Sequence, residues 1–274
     1  MSKKSHKPRQ EPETIGLPCV GVESHAHLDS EEFADDLEEL LDRAEASGIS
    51  HIVQVFLSHR AYLDGRHLFE GRNVSFLLGT HPNDADQLDD AELDAMREAF
   101  KADPRLVGVG EIGLDFYWDD MPRDLQERAF IRQLELAREL EKPVVIHSRD
   151  SNPEAIAILE KHGFRDFPVL WHCFGADVET AERLLANGWH ISIPGPITYR
   201  KTEETQAAVA RIPLDRLLLE TDCPYLAPEP WRGKRNHPAL IAFTARRVAE
   251  IKGIAAEDLW RIAGENARRF FGIR

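Results

Sequence analysis

Short apolar runs alternate with amphipathic helical stretches along the chain after residue 18. The runs are rich in Val, Ile and Leu and alternate little with polar residues, which is typical of parallel strands buried on both faces. They lie at residues 19–24, 51–57, 74–79, 105–111, 143–147, 168–172, 189–193 and 216–221.

Helical periodicity fills the intervals between these runs. In the stretch 124–142, Phe130, Leu134 and Ala137 recur on one helical face at steps of four and three residues. A proline stands just before this stretch and another just after it, which suits the two ends of a helix. Further helical patterns cover about 32–48, 88–102, 152–163, 177–187, 201–211, 238–252 and 255–271.

Eight β runs separated by helices predict an α/β fold, a closed (β/α)8 TIM barrel. The length of 274 residues agrees with this fold, because such a barrel typically needs about 250 residues. A doubly wound open sheet is the alternative, since the number of strands alone separates the two folds poorly. We therefore expect a single barrel over residues 19–274.

The first 18 residues, MSKKSHKPRQEPETIGLP, are polar, charged and proline-bearing. They contain no apolar core of the kind found in secretory signals, and their composition predicts a disordered tail. A weak polyanion-binding tail is the alternative interpretation.

Charge, hydrophobicity and cysteine content indicate which partners and which cellular compartment suit the protein. The formal net charge of −14 disfavours non-specific attraction to polyanions, although bound metal ions can dominate the field inside a cleft. No stretch is long and apolar enough to span a membrane. The odd number of cysteines suits a reducing cytoplasm better than a disulfide framework. We expect Cys173 and Cys223 to be small buried residues rather than metal ligands.

Residues suited to metal binding stand at the ends of five β runs. In a barrel, the carboxyl ends of all strands open at one mouth, so residues distant in sequence converge there. This set contains four imidazoles and two carboxylates: His25, His27, Glu111, His147, His172 and Asp222.

The mixture of imidazole and carboxylate indicates transition-metal chemistry. Such ligands suit Zn, Mn, Fe or Ni, whereas Ca or Mg alone would favour oxygen ligands. His25 and His27 are two residues apart, so an extended backbone directs both to one side. Glu111 can bridge two ions with its two oxygens, and His147 and His172 can hold the second ion. We predict two divalent ions, with Zn, Mn, Mg, Fe and Ni all left open.

Eight motifs running in order through nearly the whole chain resemble the TatD family of metal-dependent deoxyribonucleases, within the amidohydrolase-like barrels. These motifs are ESHAHLD (23–29), GTHP (79–82), GEIGLDF (110–116), PVVIHSRD (143–150), WHCFG (171–175), ISIPGPITYRK (191–201), LLLETDCPYLAP (217–228) and RGKRN (232–236). The resemblance implies that the first metal is bound by His25, His27, Glu111 and Asp222. It implies that Glu111, His147 and His172 bind the second, and that Asp222 positions or deprotonates the attacking water.

The chain departs from the family pattern at two motif positions. Glu23 stands where the family usually has Asp, so the support behind the histidines can differ. His237 follows RGKRN where the family often has Glu, and this leaves the loop less negative.

Other residues near the predicted mouth could hold a substrate. His81 and Arg149 follow the third and fifth β runs, and an arginine can grip a phosphate through two parallel hydrogen bonds. An ion pair with Asp115 or Asp150 is the equally weighted alternative for Arg149. Two basic, aromatic-bearing segments follow the last two runs, and they contain Tyr199, Arg200, Lys201, Trp231, Arg232, Lys234 and Arg235. Trp231 and the segment Phe116–Trp118 could stack a base or pack on the barrel rim.

The resemblance favours a hydrolase that trims single-stranded DNA from its 3′ end, with Asp222 and Glu111 as catalytic residues. The chain is expected to act as a monomer in the cytoplasm, with nucleic-acid ends as its partner and no membrane. A metal-dependent amide, lactone or phosphotriester hydrolase is the second possibility, although PVVIHSRD offers no lysine to bridge the metals as in those relatives. A metal-bound scaffold without turnover is the third possibility. The sequence contains no G-x-S-x-G motif, so a serine nucleophile of that type is disfavoured.

Overall fold

The structure, a computed structural model, describes residues 9–273. Eight parallel strands form one sheet in the order of the sequence, with each strand paired to the next. The strands are β1 (Gly21–Ala26), β2 (Ile49–Phe56), β3 (Val74–Leu78), β4 (Leu106–Asp115), β5 (Val144–Arg149), β6 (Val169–Trp171), β7 (His190–Ile193) and β8 (Leu217–Leu219).

Contacts between the first and last strands close the sheet into a barrel. Ala26 forms a parallel bridge with Cys223, and the His27 amide donates to the Cys223 carbonyl at 2.9 Å. The Ser24 hydroxyl donates to the Leu219 carbonyl at 2.8 Å. The predicted (β/α)8 barrel is therefore confirmed, and the open-sheet alternative is excluded.

Helices cover the outside of the barrel. The α-helices of the described residues are α1 (Leu37–Ala46), α2 (His59–Gly65), α3 (Asp90–Ala102), α4 (Arg123–Glu139), α5 (Asn152–Lys161), α6 (Val178–Ala186), α7 (Glu203–Arg211), α8 (Ile241–Lys252) and α9 (Ala256–Phe271). Short 3₁₀ helices lie at Pro12–Ile15, Glu31–Phe33, Arg66–Phe69, Pro82–Gln87, Gly195–Thr198, Leu214–Arg216 and Pro238–Leu240. None of the helices in residues 9–273 is both long and apolar enough to cross a membrane.

Apolar side chains form two main layers, as the continuous hydrophobic strands predict. One layer fills the barrel interior with residues such as Val53, Leu77, Val145 and Leu218, and Phe271 of α9 packs against it. A larger layer lies between the strands and the helices. These layers fix the strands rigidly, so the loops at their carboxyl ends are held on a firm base.

Residues 9–18 differ from the predicted disordered tail, because they pack on the barrel. Pro12–Ile15 forms a 3₁₀ helix, and Arg43 of α1 donates hydrogen bonds to Glu13 at 2.7 Å and to Glu11 at 2.9 Å. The Trp260 indole nitrogen donates to the Pro18 carbonyl at 2.9 Å. The polar composition of this segment gave no sign of these contacts. Residues 1–8 of the predicted tail lie outside the described residues.

Candidate metal centre

The six side chains predicted to bind metal meet at the carboxyl ends of their strands. His25 and Glu111 belong to β1 and β4, and His147 belongs to β5. His27, His172 and Asp222 lie one to three residues beyond the ends of β1, β6 and β8. The convergence follows from the parallel barrel, which directs every strand end to the same mouth.

Glu111 lies at the middle of the group and divides its two oxygens between two pairs of histidines. Its Oε1 lies 2.6 Å from His147 Nδ1 and 2.7 Å from His172 Nε2. Its Oε2 lies 3.4 Å from His25 Nε2 and 3.6 Å from His27 Nε2. A carboxylate placed in this way has one oxygen available for each of two ions.

His25, His27 and Asp222 form one potential ligand set. The two Nε2 atoms lie 3.3 Å apart, and Asp222 Oδ1 lies 3.9 Å from His25 Nε2 and 3.4 Å from His27 Nε2. Ligands at about 2.1 Å from a tetrahedral ion are separated by about 3.4 Å. The spacing of these donor atoms therefore fits a shared cation.

Glu111, His147 and His172 form a second potential set. The far nitrogen of each histidine faces a further carboxylate: His147 Nε2 lies 3.0 Å from Asp115 Oδ2, and His172 Nδ1 lies 3.3 Å from Glu220 Oε1. Such carboxylates commonly fix the orientation and tautomer of a metal-binding imidazole. The contacts leave His147 Nδ1 and His172 Nε2 directed at Glu111.

The charges of the centre depend on one another. Burial opposes the ionised form of Glu111, but the charges and hydrogen bonds of His172 and His147 outweigh it and hold its pKa well below the usual value. Burial also opposes protonation of His172, yet Glu111 and Glu220 raise its pKa well above the usual value. The centre thus stabilises a buried anion among imidazoles, which is the charge distribution that a bound cation requires.

His81 and Arg149 line the same cleft as the predicted metal ligands. The His81 Nδ1 accepts a hydrogen bond from the Asn83 amide at 3.2 Å, so the Nε2 of neutral His81 carries the hydrogen. That Nε2 lies 3.9 Å from Glu111 Oε1, and burial is the first cause that lowers the pKa of His81 to about 4. His81 is therefore a neutral hydrogen-bond donor facing the centre.

Arg149 makes no ion pair with a carboxylate of the described residues. Its guanidinium carbon lies 3.7 Å from the centre of the Tyr117 ring and 5.8 Å from that of Trp118. Asp115, one of its expected partners, is engaged by His147 instead. The Arg149 donors thus remain available on the wall of the cleft.

The two other predicted substrate-binding residues lie outside the cleft lining. Arg200 is exposed, and the Arg232 guanidinium carbon lies 4.2 Å from the centre of the Tyr199 ring. Trp231 packs on the rim, with its indole nitrogen donating to the Gln10 carbonyl at 2.9 Å. Tyr225, which the sequence did not single out, is 62% exposed and lines the cleft.

The two cysteines near the centre have different surroundings. Cys223 is fully buried, as expected. Cys173 was expected to be buried as well, but it is partly exposed and lines the cleft. The difference arises because β6 ends at Trp171, so strand alternation no longer decides where residue 173 points.

Three further carboxylates support the centre, and of these the sequence analysis assigned a supporting role only to Glu23. Asp115 and Glu220 support the histidines of the second set, and the buried Glu23 accepts from the amides of His25 at 3.0 Å and Thr221 at 2.9 Å. The available signal was their position within the GEIGLDF, LETD and ESHAH segments. Glu23 therefore ties β1 to the loop that carries Asp222.

Comparisons with known proteins agree with this geometry. The family profile described as "TatD related DNase" matches residues 22–272. The uncharacterized metal-dependent hydrolase YcfH of Escherichia coli K12 is 39% identical over 256 residues, which cover 92% of this chain and 96% of that protein. The chain therefore belongs to the TatD family.

Two further TatD relatives support this membership. A protein of Pectobacterium atrosepticum named "3'-5' ssDNA/RNA exonuclease TatD" is 35% identical over 262 residues, covering 90% of this chain and 97% of that protein. The crystal structure of the TatD homologue YjjV from Escherichia coli K12 superposes with a TM-score of 0.87 at 29% identity, covering 93% of this chain and 99% of that one. Our chain is thus a metal-dependent hydrolase of the TatD family.

Proposed function

We propose that this protein hydrolyses phosphodiester bonds and trims single-stranded DNA from its 3′ end. The observation that carries the proposal is the placement of Glu111, whose two oxygens face two separate sets of nitrogen ligands. Two-ion sites of this kind serve in-line displacement at phosphorus. The preference for a single strand and for its 3′ end rests on the name of the Pectobacterium atrosepticum relative.

The proposed ligands divide into two sets that share one residue. His25, His27, Glu111 and Asp222 would hold the first ion, and Glu111, His147 and His172 would hold the second. The donor spacing of the first set and the supporting carboxylates behind the second are the reasons for this division. The imidazole content favours Zn, Mn, Fe or Ni, and the carboxylates also suit Mg.

Each protein side chain would have a distinct part in hydrolysis. When bound, two divalent ions supply Lewis-acid charge that activates water and neutralises the phosphate. The Asp222 carboxylate, beside His27, would accept the proton of the attacking water. His81 Nε2–H would donate to a phosphoryl oxygen, and the unpaired Arg149 guanidinium would add positive charge on the cleft wall.

The cleft has the size and lining for a thin, flexible nucleic-acid end. Its volume is about 930 Å³, whereas a duplex about 20 Å wide, a width inferred from groove dimensions, would be excluded by the rim loops. Trp118 is 50% exposed and Tyr225 is 62% exposed, and both line the cleft. An exposed aromatic ring can stack on a base regardless of sequence, which contributes about 1–3 kcal/mol per base.

End-labelled substrates test this proposal. Single strands labelled at the 5′ or the 3′ end, a blunt duplex and a closed single-stranded circle are offered to protein loaded with Mg²⁺, Mn²⁺ or Zn²⁺. We expect a shortening ladder from the 5′-labelled strand and an intact circle. Cleavage of the circle at a similar rate would show an endonuclease.

A parallel panel of lactones, amides and phosphotriesters tests the alternative enzyme class. Rapid hydrolysis of these compounds without cleavage of any nucleic acid would assign the protein to that class. Absence of turnover on every compound, with metals bound, would favour a scaffold. The matched negative control is Asp222→Asn, because a contaminating nuclease would retain activity in that preparation.

A further inference from the structure

The cleft above the metal centre is lined by carboxylates and by a single guanidinium. Among the residues that the structure describes, Arg149 is the only arginine or lysine that lines the cleft. The carboxylates of the lining are Asp29, Glu111, Asp115 and Asp222. The protein therefore offers an incoming phosphate one permanent cation of its own, and the placement of that cation matters for binding.

The Arg149 guanidinium rests on the face of the Tyr117 ring. Its carbon lies 3.7 Å from the ring centre, which is the distance of van der Waals contact between carbon atoms. A guanidinium that pointed one N–H into the ring would hold its carbon further away, so this distance indicates face-to-face contact. The N–H groups lie in the plane of the guanidinium, so the stacked group directs them past the ring and not into it.

The stack is supported by the neighbouring tryptophan. The rings of Tyr117 and Trp118 meet edge to face, with their centres 4.8 Å apart and their planes at 88°, an arrangement that aromatic pairs favour. Trp118 itself lines the cleft, and its ring centre lies 5.8 Å from the Arg149 guanidinium carbon. The two rings therefore enclose Arg149 on the side that faces the loop after β4.

Hydrogen bonds fix the start of this loop to the barrel. The Tyr117 amide donates to Asp115 Oδ1 at 3.0 Å, and the Phe116 amide donates to the Arg149 carbonyl at 2.9 Å. The buried Gln126 of α4 accepts from the Asp115 amide at 2.8 Å and donates to the Asp115 carbonyl at 2.9 Å. The backbone of residue 117 is thus held beside residue 149, which makes the Tyr117 ring a firm support.

Other arginines of the described chain also lie over aromatic rings, but in different surroundings. The guanidinium carbon of Arg123 lies 4.1 Å from the centre of the Phe116 ring, and that of Arg232 lies 4.2 Å from the centre of the Tyr199 ring. Neither of these arginines lines the cleft. The stack of Arg149 is distinguished by its closer contact and by its place on the cleft wall.

We propose that Tyr117 is a positioning residue for Arg149, whose N–H edge it presents to a phosphate oxygen of the bound strand. The proposal rests on the proposed phosphodiesterase function and deepens it, because it assigns the residue through which the one cleft arginine acts. The ring restrains the long Arg149 side chain before the substrate arrives, so less rotamer entropy is lost on binding. Unlike a carboxylate partner, the ring leaves the charge and the N–H donors free for the phosphate.

Variants of Tyr117 and Arg149 test this role. Tyr117→Leu removes the aromatic face, and Tyr117→Phe keeps the face while removing the hydroxyl. Arg149→Met removes the guanidinium and is combined with each Tyr117 variant. The matched control is Tyr225→Leu, because Tyr225 is also an exposed cleft tyrosine, at 62% against 52% for Tyr117, but its ring is not one that Arg149 contacts.

Nuclear magnetic resonance measures the stack without turnover. In Zn²⁺-loaded protein with isotope-labelled arginine, the Arg149 Nε–H signal is identified by its loss in Arg149→Met. We expect an upfield ring-current shift of this signal in the wild type and in Tyr117→Phe, its loss in Tyr117→Leu, and its retention in Tyr225→Leu. Titration with inorganic phosphate should move the signal further and yield a Kd that Tyr117→Leu raises by about two- to fivefold, the usual range for an exposed cation–π contact.

Turnover of 5′-labelled single-stranded DNA gives the second measurement. Because Arg149 would contact phosphate in the ground state and the transition state alike, Tyr117→Leu should raise KM by about two- to fivefold and change kcat by less than about twofold. Tyr117→Phe should restore the wild-type KM. In the Arg149→Met background Tyr117→Leu should have no further effect, whereas the effect of Tyr225→Leu should be the same in both backgrounds.

Four outcomes would overturn the proposal. They are the absence of a ring-current shift in the wild type, an Arg149 signal that phosphate does not move, equal losses in Tyr117→Phe and Tyr117→Leu, and additive losses in Tyr117→Leu and Arg149→Met. Additive losses would mean that the Tyr117 ring contacts the substrate by itself. If the wild type cleaves no DNA but phosphate binding at Arg149 depends on Tyr117 as expected, the positioning role stands and only the proposed function fails.

Discussion

Asp222 differs from the other acidic groups of the centre because its side chain is 16% exposed and lines the cleft, while it also lies close to both histidines of the first set. Its Oδ1 lies 3.4 Å from His27 Nε2 and 3.9 Å from His25 Nε2. Glu111, by contrast, is surrounded by four imidazoles. Asp222 is therefore the carboxylate that can reach both an ion and a water entering from solvent.

Replacement of Asp222 by Asn should nearly abolish turnover while the fold persists. The amide has a similar shape but cannot accept the proton of the water, so the expected loss is on the order of 10²-fold or more. Turnover of the 5′-labelled strand by fully metal-loaded protein measures it, with circular dichroism as the check on folding. The exposed Asp119→Asn is the matched control. Near-native rates in Asp222→Asn would assign the proton transfer to another group.

His237 illustrates how one position outside the centre can affect stability. It is buried, and it interacts electrostatically with Arg43 and Glu13. These two residues form an ion pair that joins the N-terminal segment to the barrel. Burial first, and then the Arg43 charge, lower its pKa from 6.5 to about 4. The folded protein therefore disfavours the protonated imidazole, whereas the unfolded chain accepts the proton freely.

This difference predicts an acid-dependent loss of stability. Because the unfolded state binds the extra proton, the contribution of His237 is complete above pH 6.5 and is lost as the pH falls to about 4. The loss is up to about 3 kcal/mol, from 1.36 kcal/mol per pKa unit. In His237→Asn, the free energy of unfolding measured by urea titration should fall less over this window than in the wild type. The exposed His67→Asn should keep the wild-type dependence, and an unchanged slope in His237→Asn would contradict the assignment.

At the level of elements, β4 is longer than its apolar pattern suggested. The run was predicted to end at Glu111, but the strand continues to Asp115 and pairs with β5 through Asp115 and Arg149. Gly113 permits this pairing, because its φ is +146° and a Cβ there would lie 2.0 Å from the His147 carbonyl oxygen. A single strand thereby carries both Glu111, which lies between the two ligand sets, and Asp115, which contacts His147.

Replacement of Asp115 by Asn tests whether the extended part of β4 contributes to metal binding through His147. Asp115 Oδ2 lies 3.0 Å from His147 Nε2, and the loss of its charge should weaken binding of one of two metal equivalents by about tenfold or more. Isothermal titration calorimetry of stripped protein resolves the two affinities. Asp120→Asn, on the exposed loop that follows, is the control. Equal metal affinities in wild type and Asp115→Asn would show that Asp115 does not support metal binding. Its role would then be to accept the hydrogen bond from the Tyr117 amide in the loop.

The barrel was predictable from sequence because eight continuous apolar runs alternate with helical stretches, although the runs alone did not exclude an open sheet. The convergence of the six predicted ligands was predictable as well, since they stand at or just beyond those runs. Asp115, Glu220 and Tyr225 were not, because their roles depend on which groups face them across neighbouring strands and loops. The packing of residues 9–18 was hidden for a different reason: its anchors, Arg43, Trp231 and Trp260, are far away in sequence.

At the scale of the whole molecule, the metal centre joins strands that are distant in the chain. Glu111 on β4 faces imidazoles from β1, β5 and the end of β6, while Asp222 extends the set to the loop after β8. Each proposed ion would link three parts of the barrel, and the two ions together would link five. Metal binding should therefore contribute to the stability of the whole fold and not only to that of the mouth.

Removal of metal should lower the melting temperature, and titration should return it in two steps. A ligand at about 100 times its Kd stabilises the native state by about 2.7 kcal/mol, which corresponds to a rise on the order of 5–10 °C for a protein of this size. Differential scanning calorimetry of chelated and reloaded protein measures the shift, and elemental analysis should give two equivalents. His147→Asn should retain one equivalent and part of the shift, because it removes a ligand of the second set while leaving His25, His27 and Asp222 intact. A reproducible limit of one equivalent in the wild type, with no weaker second step, would contradict the bridging role of Glu111 and leave a single-ion hydrolase.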